Sequence, residues 1–186
     1  MAKSNTASSI SALKTKSVRI ARLHFLIVLI YATQTIVYHA TRVITPELLF
    51  KRWVATAGLL IVATILWYTA KNKVTNYSGF KYVIYLLILA DIAFASFNVL
   101  TQRGYASKSV VLFFIPIIVA SALATRSAIY ATAILSIAAY TTTAVYYFVA
   151  NFNEGYLSEL YGEIGLYSGL MLLCASLLWS VVRRRH

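Results

Sequence analysis

The stretch Tyr82–Leu100, YVIYLLILADIAFASFNVL, decides the fold. It holds one charge, Asp91, in an otherwise apolar run. About 20 consecutive apolar residues are what a helix needs to cross the hydrocarbon core of a bilayer. Similar runs recur along the 186 residues, separated by short basic clusters. Sixty per cent of the residues are hydrophobic and the mean hydropathy is +0.74, more apolar surface than a soluble domain of this size can bury. The sequence predicts an all-α, polytopic membrane protein of six transmembrane helices, at about 20–41, 53–70, 81–101, 109–125, 127–150 and 160–182. The domain organisation is a polar, basic N-terminal tail over 1–18, read as mobile or lying on the surface, followed by one six-helix domain over 19–186.

The connections are short. Arg42–Arg52, with Pro46, is the longest before the middle of the chain and is expected to lie along the interface. The break at Thr125-Arg126 suggests a tight helical hairpin. Tyr and Trp side chains such as Trp53, Trp67, Tyr82 and Trp179 fall near helix ends, at the level where an apolar ring with a polar edge is favoured.

Charge placement sets the orientation. With the N terminus inside, twelve basic residues fall on that side, from Lys3 through Lys71, Lys73, Lys81 and Arg126 to Arg183-Arg184-Arg185. Five fall on the other side: Arg42, Lys51, Arg52, Arg103 and Lys108. This bias predicts cytoplasmic N and C termini. The net charge of +12 is therefore assigned to topology and lipid headgroups, and no nucleic-acid partner is expected. The bilayer itself is the expected partner. Cys174 is the single cysteine, so no disulfide forms within the chain.

Asp91 is the sharpest candidate. An ionised carboxylate at that depth costs several kcal/mol, by about 3 on insertion scales, and must find a donor in the bundle. His24 and Gln34 are candidate members of the same intramembrane polar centre. The plainer reading is a hydrogen-bonded packing residue. Asn98 and Gln102 are four apart, hence on one helix face, and with Arg103 they are candidates to line an outward cavity. Pro116 removes a helix hydrogen bond and is a candidate bend. The small residues Ala128, Ala131, Ala133, Ser136, Ala138 and Ala139 permit close packing of helix five, inside the chain or in a homodimer. No three-ligand metal spacing occurs, and no Walker loop, HExxH or nucleophile elbow is present. No metal, cofactor or catalytic residue is expected, and the chain is read as not an enzyme.

The run from Asp91-Ile92-Ala93 to Gln102-Arg103-Gly104-Tyr105-Ala106-Ser107-Lys108-Ser109, then Pro116-Ile117-Ile118 and Arg126-Ser127-Ala128, resembles the membrane input module of RegB-like bacterial sensor histidine kinases. In that family an Asp in helix three precedes a Gly-rich external turn, an apolar helix ending in Leu-Pro-Ile-Ile, a basic residue and a small-residue helix. The resemblance covers about residues 80–150. Only Gly104 stands where the family has paired glycines, and Lys108 and Ser109 replace its Pro and Phe. The family continues into a phosphoacceptor domain where this sequence ends, so the expectation is a stand-alone relative of the module or a fragment of a longer sensor. The resemblance implies a bacterial inner-membrane sensor or regulatory module that passes a stimulus to a cytoplasmic signalling partner. Two alternatives stand beside it: a small-solute-binding subunit of an uptake transporter, and a structural or assembly membrane protein.

Overall fold

A computed structural model describes the backbone of residues 2–102, 108–152 and 158–184, and side chains from residue 11 onward except at 152. Nearly all of the described residues are helical, with no strand among them. The long helices are α1 (Ala2–Thr41), α2 (Pro46–Asn72), α3 (Tyr77–Thr101), α5 (Arg126–Phe152) and α6 (Ser158–Arg183), with a short α4 (Phe114–Ala120) between α3 and α5. The five long ones each contain a span long and apolar enough to cross a membrane. The chain is thus a helical membrane protein.

Three expectations need correction. The N-terminal tail is not separate from helix one: α1 is continuous from Ala2. No Gly or Pro interrupts residues 2–41, so nothing stops the helix propagating backwards from its apolar half. Second, Pro46–Arg52 is not part of a separate connection: it forms the first two turns of α2. Thr45 caps α2, its hydroxyl accepting from the Leu48 N–H at 3.3 Å. Pro46 takes the first helical position, where a missing N–H costs nothing. Arg52 therefore stands in the second turn of a helix. Third, the expected helix at 109–125 is a composite. A 3-10 turn (Lys108–Phe113) leads into α4, and a second 3-10 turn (Ser121–Leu123) leads out. Pro116 lies in the first turn of α4, where the α-helical ladder has just begun.

The tight hairpin at Thr125-Arg126 is present. Ala124 adopts a left-handed conformation (φ 54, ψ 27) and closes the second 3-10 turn. The Thr125 carbonyl then accepts from Ile129 N–H in the first turn of α5. Arg42 ends α1 in the same way, with φ 53. Both are the one-residue reversals usually given to glycine.

The chain divides into two compact units, Met1–Leu87 and Ile88–His186, and the division falls within α3. In the first unit α2 buries Arg52, Thr56, Leu59, Ala63, Leu66 and Ala70, one stripe at helical spacing. It packs antiparallel to α1, where Phe25 meets Trp67 edge-on at 6.1 Å. Ala21, Ala63 and Ala70 are almost wholly buried, so the backbones approach closely.

In the second unit an aromatic column joins three elements. Phe113 lies 5.9 Å from Tyr140 on α5, and Tyr140 lies 5.9 Å from Tyr167 on α6. Ala128, Ala133 and Ser136 face inward in this unit, which puts half of the small residues of helix five in packing within the chain.

Candidate functional site: two buried polar clusters

In the second unit the polar candidates share one stripe of α3. Asp91, Ala95 and Asn98 are buried and Gln102 is half-buried, at spacings of four, three and four. Asp91 is 5% exposed and Asn98 is fully buried. The Asn98 amide donates to the Phe94 carbonyl at 2.8 Å. The Asn98 side-chain oxygen accepts from Gln102 Nε2 at 3.0 Å, and Gln102 Oε1 accepts from the Ser109 hydroxyl at 2.9 Å. The chain Asn98–Gln102–Ser109 therefore ties the end of α3 to the first 3-10 turn. Arg103 and Gly104–Ser107 lie outside the described residues.

The interior of this unit holds further polar groups. On α5 the hydroxyls of Ser136 and Tyr140, one turn apart, are buried with no hydrogen-bond partner among the described residues, and Ser168 on α6 is in the same state. A buried hydroxyl without a partner forfeits about 1–3 kcal/mol of solvation. Three such hydroxyls lie in the interior of this unit.

The first unit holds a cluster built around Arg52. This guanidinium is the largest fully buried side chain in the described protein. Its Nη2 donates to Gln34 Oε1 at 2.8 Å, and its Nε to Thr35 Oγ1 at 3.4 Å. Its plane lies against two tyrosine rings, 4.4 Å from the centroid of Tyr31 and 4.9 Å from that of Tyr38. Tyr31, Gln34, Thr35 and Tyr38 are at i, i+3, i+4 and i+7 of α1, so one helix face supplies the whole cage. The Gln34 Nε2 donates onward to Tyr38 Oη at 3.0 Å. Arg52 Nη1 is buried and has no hydrogen-bond partner among the described residues. Among the described residues no carboxylate pairs with it. The neighbouring acid on α2, Glu47, pairs with Lys51 on the exposed side.

His24 is 2% exposed, and its Nδ1 lies 2.8 Å from the Ile20 carbonyl, so that nitrogen donates and the ring is held against its own helix. Gln34 is exposed, and its side-chain amide hydrogen-bonds Tyr38 and Arg52. No group of three His, Cys, Asp or Glu positioned to hold a metal ion occurs among the described residues.

Sequence reasoning placed Asn98 and Gln102 together but missed Ser109 and the Arg52 cage. The signal for Arg52 was present. Thr45-Pro46-Glu47 is a helix start, and counting from it puts Arg52 in phase with Thr56, Leu59 and Ala63.

No protein-family model matches the chain, and no curated protein or solved structure matches it either.

Proposed function

We propose that the chain is a six-span, non-enzymatic sensor or regulatory module of the bacterial inner membrane, with both termini in the cytoplasm. A stimulus reaching the outer or interior polar groups of the second unit changes the packing of Lys108–Leu123. Helix α6 carries the change to a cytoplasmic partner near Arg183-Arg184. The observation that carries this reading is the Asn98–Gln102–Ser109 clip on a segment that alternates between 3-10 and α geometry. A 3-10 stretch has poorer hydrogen-bond geometry than an α-helix and often marks a hinge. Such a segment has two accessible packings of similar energy, and the clip favours one of them.

The length of this segment supports a sixth crossing. Nine residues in 3-10 geometry rise about 2.0 Å each and seven in α geometry about 1.5 Å each, so Lys108–Leu123 reaches about 28 Å. That is close to the hydrocarbon thickness of about 30 Å, whereas a regular α-helix of the same residues would reach only about 24 Å. The unpartnered hydroxyls of Ser136 and Tyr140 give a stimulus somewhere to bind differentially, without which no ligand shifts a conformational equilibrium.

Amide hydrogen exchange on the whole chain in detergent micelles or nanodiscs tests the reading. Residues 108–123 are expected to exchange at least about tenfold faster than the middle of α5. Ser109→Ala and Gln102→Leu are expected to speed that exchange by about another tenfold, the worth of one hydrogen bond in the clip. If 108–123 is as protected as α5 and neither variant changes it, the segment is a fixed part of a scaffold. The assembly reading then gains. It is favoured in its own right by α6, whose apolar span is only 11% buried.

A further inference from the structure

We propose that Arg52 is the cationic centre of a binding site for the phosphate of a membrane lipid, closed on its exposed side by Gln34 and Tyr38. A guanidinium taken out of water is stable only when it is paired or fully hydrogen-bonded. Arg52 is fully buried, and among the described residues its Nη1 lacks a partner and only neutral groups approach its other nitrogens. The two tyrosine faces return part of the lost solvation but cannot neutralise a unit charge. Compensation has to come from an anion outside the described chain.

The position of the cage says where that anion comes from. α2 has 27 residues and is about 40 Å long, close to the full bilayer with its headgroups. Arg52 is six residues from Pro46, so about 9 Å below that end of the helix. With α2 centred in the membrane, the guanidinium sits only a few ångströms inside the hydrocarbon boundary, within one side-chain length of the lipid phosphates. Tyr31 and Thr35 are the buried wall of the cage, while Gln34 is exposed and Tyr38 half-buried. The way in is therefore sideways, from the lipid face of α1, past the Gln34–Tyr38 hydrogen bond. Gln34 Oε1 occupies one of the guanidinium nitrogens as a neutral placeholder. When that amide swings away, Nη1 and Nη2 present the parallel pair of donors that fits two phosphate oxygens.

The site is independent of the clip in the second unit, and its failure would leave the sensor reading untouched. The test uses the full chain, delipidated in a maltoside detergent and followed by Tm. Phosphatidylglycerol, diacylglycerol (the same chains without phosphate) and inorganic phosphate are added separately. Phosphatidylglycerol is expected to raise the Tm by about 5 °C or more at saturation, and the other two by less than a fifth of that. Arg52→Met, which keeps the volume of the cage, is expected to abolish the shift. Lys51→Met, changing the exposed neighbour, is expected to retain it. Gln34→Ala, which removes the placeholder and leaves Arg52 in place, is expected to enlarge it about twofold and covers the case in which the Arg52 variant does not fold. The proposal is overturned if phosphatidylglycerol shifts the wild type and Arg52→Met equally, if Gln34→Ala leaves the shift unchanged, or if inorganic phosphate alone reproduces it.

Discussion

Arg52→Ala is expected to destabilise the α1–α2 pair by about 3 kcal/mol, seen as a fall in Tm of about 10 °C. Three losses combine. Two charge-assisted hydrogen bonds, to Gln34 and Thr35, disappear. So do the contacts with the faces of Tyr31 and Tyr38, worth about 2 kcal/mol where the cation is desolvated. A cavity opens at the largest fully buried side chain. Relief of the desolvated charge works against these losses and keeps the total from being larger. The same balance predicts that Arg52→Met, which fills the cage without a charge, costs much less in delipidated protein than Arg52→Ala. Arg52→Lys is expected to recover under half of the alanine loss, because an ammonium lacks the planar fork that serves Gln34 and Thr35 together. Trp53 is the next residue and Trp67 packs on α1, so intrinsic fluorescence during denaturation reports on this pair. An alanine effect within about 0.5 kcal/mol, the range of ordinary surface changes, would mean that the cage contributes nothing to packing.

Phe113→Ala is expected to cost about 3–5 kcal/mol and to loosen Lys108–Leu123 selectively. Phe113 is fully buried and ends the first 3-10 turn, so its ring locks that turn against Tyr140 and, through it, Tyr167. A 3-10 turn contributes little stability of its own, so the ring is the main anchor of the segment. Val111, two residues earlier and 62% exposed, is the matched control: Val111→Ala is expected to change stability by less than about 0.5 kcal/mol. Thermal denaturation of both variants, with hydrogen exchange on residues 108–123, gives the comparison. Equal effects at the two positions would contradict the aromatic column as the anchor.

The features legible in the sequence are those that depend on local composition. Five apolar runs became five long helices because the bilayer demands backbone satisfaction within each segment. The Thr125-Arg126 reversal was visible as a break between two apolar runs, and the pairing of Asn98 with Gln102 follows from a spacing of four alone. What was not legible depends on partners distant in sequence. Ser109 meets Gln102 seven residues away, and nothing in either residue announces it. The guanidinium of Arg52 reads as a topology charge until the cap at Thr45 fixes its helical phase and α1 supplies tyrosines fourteen and twenty-one residues upstream. The composite geometry of Lys108–Leu123 was hidden because 3-10 and α turns use the same apolar residues. The choice between them is made by packing against α5 and α6. Helix α1 was cut short at Ile20 because hydropathy marks where a helix enters the membrane, not where it begins.

The central claim is that Lys108–Leu123 crosses the bilayer, which gives six spans and places the α4–α5 reversal in the cytoplasm and the α5–α6 connection outside. Single-cysteine accessibility tests it most directly. In a Cys174→Ser background, Lys108→Cys and Thr125→Cys, at the two ends of the segment, are labelled with a membrane-impermeant thiol reagent, in spheroplasts and in inverted vesicles. Position 108 is predicted to react only in spheroplasts and position 125 only in inverted vesicles. Both positions reacting from the same side would mean that the segment turns back without crossing, and would contradict it.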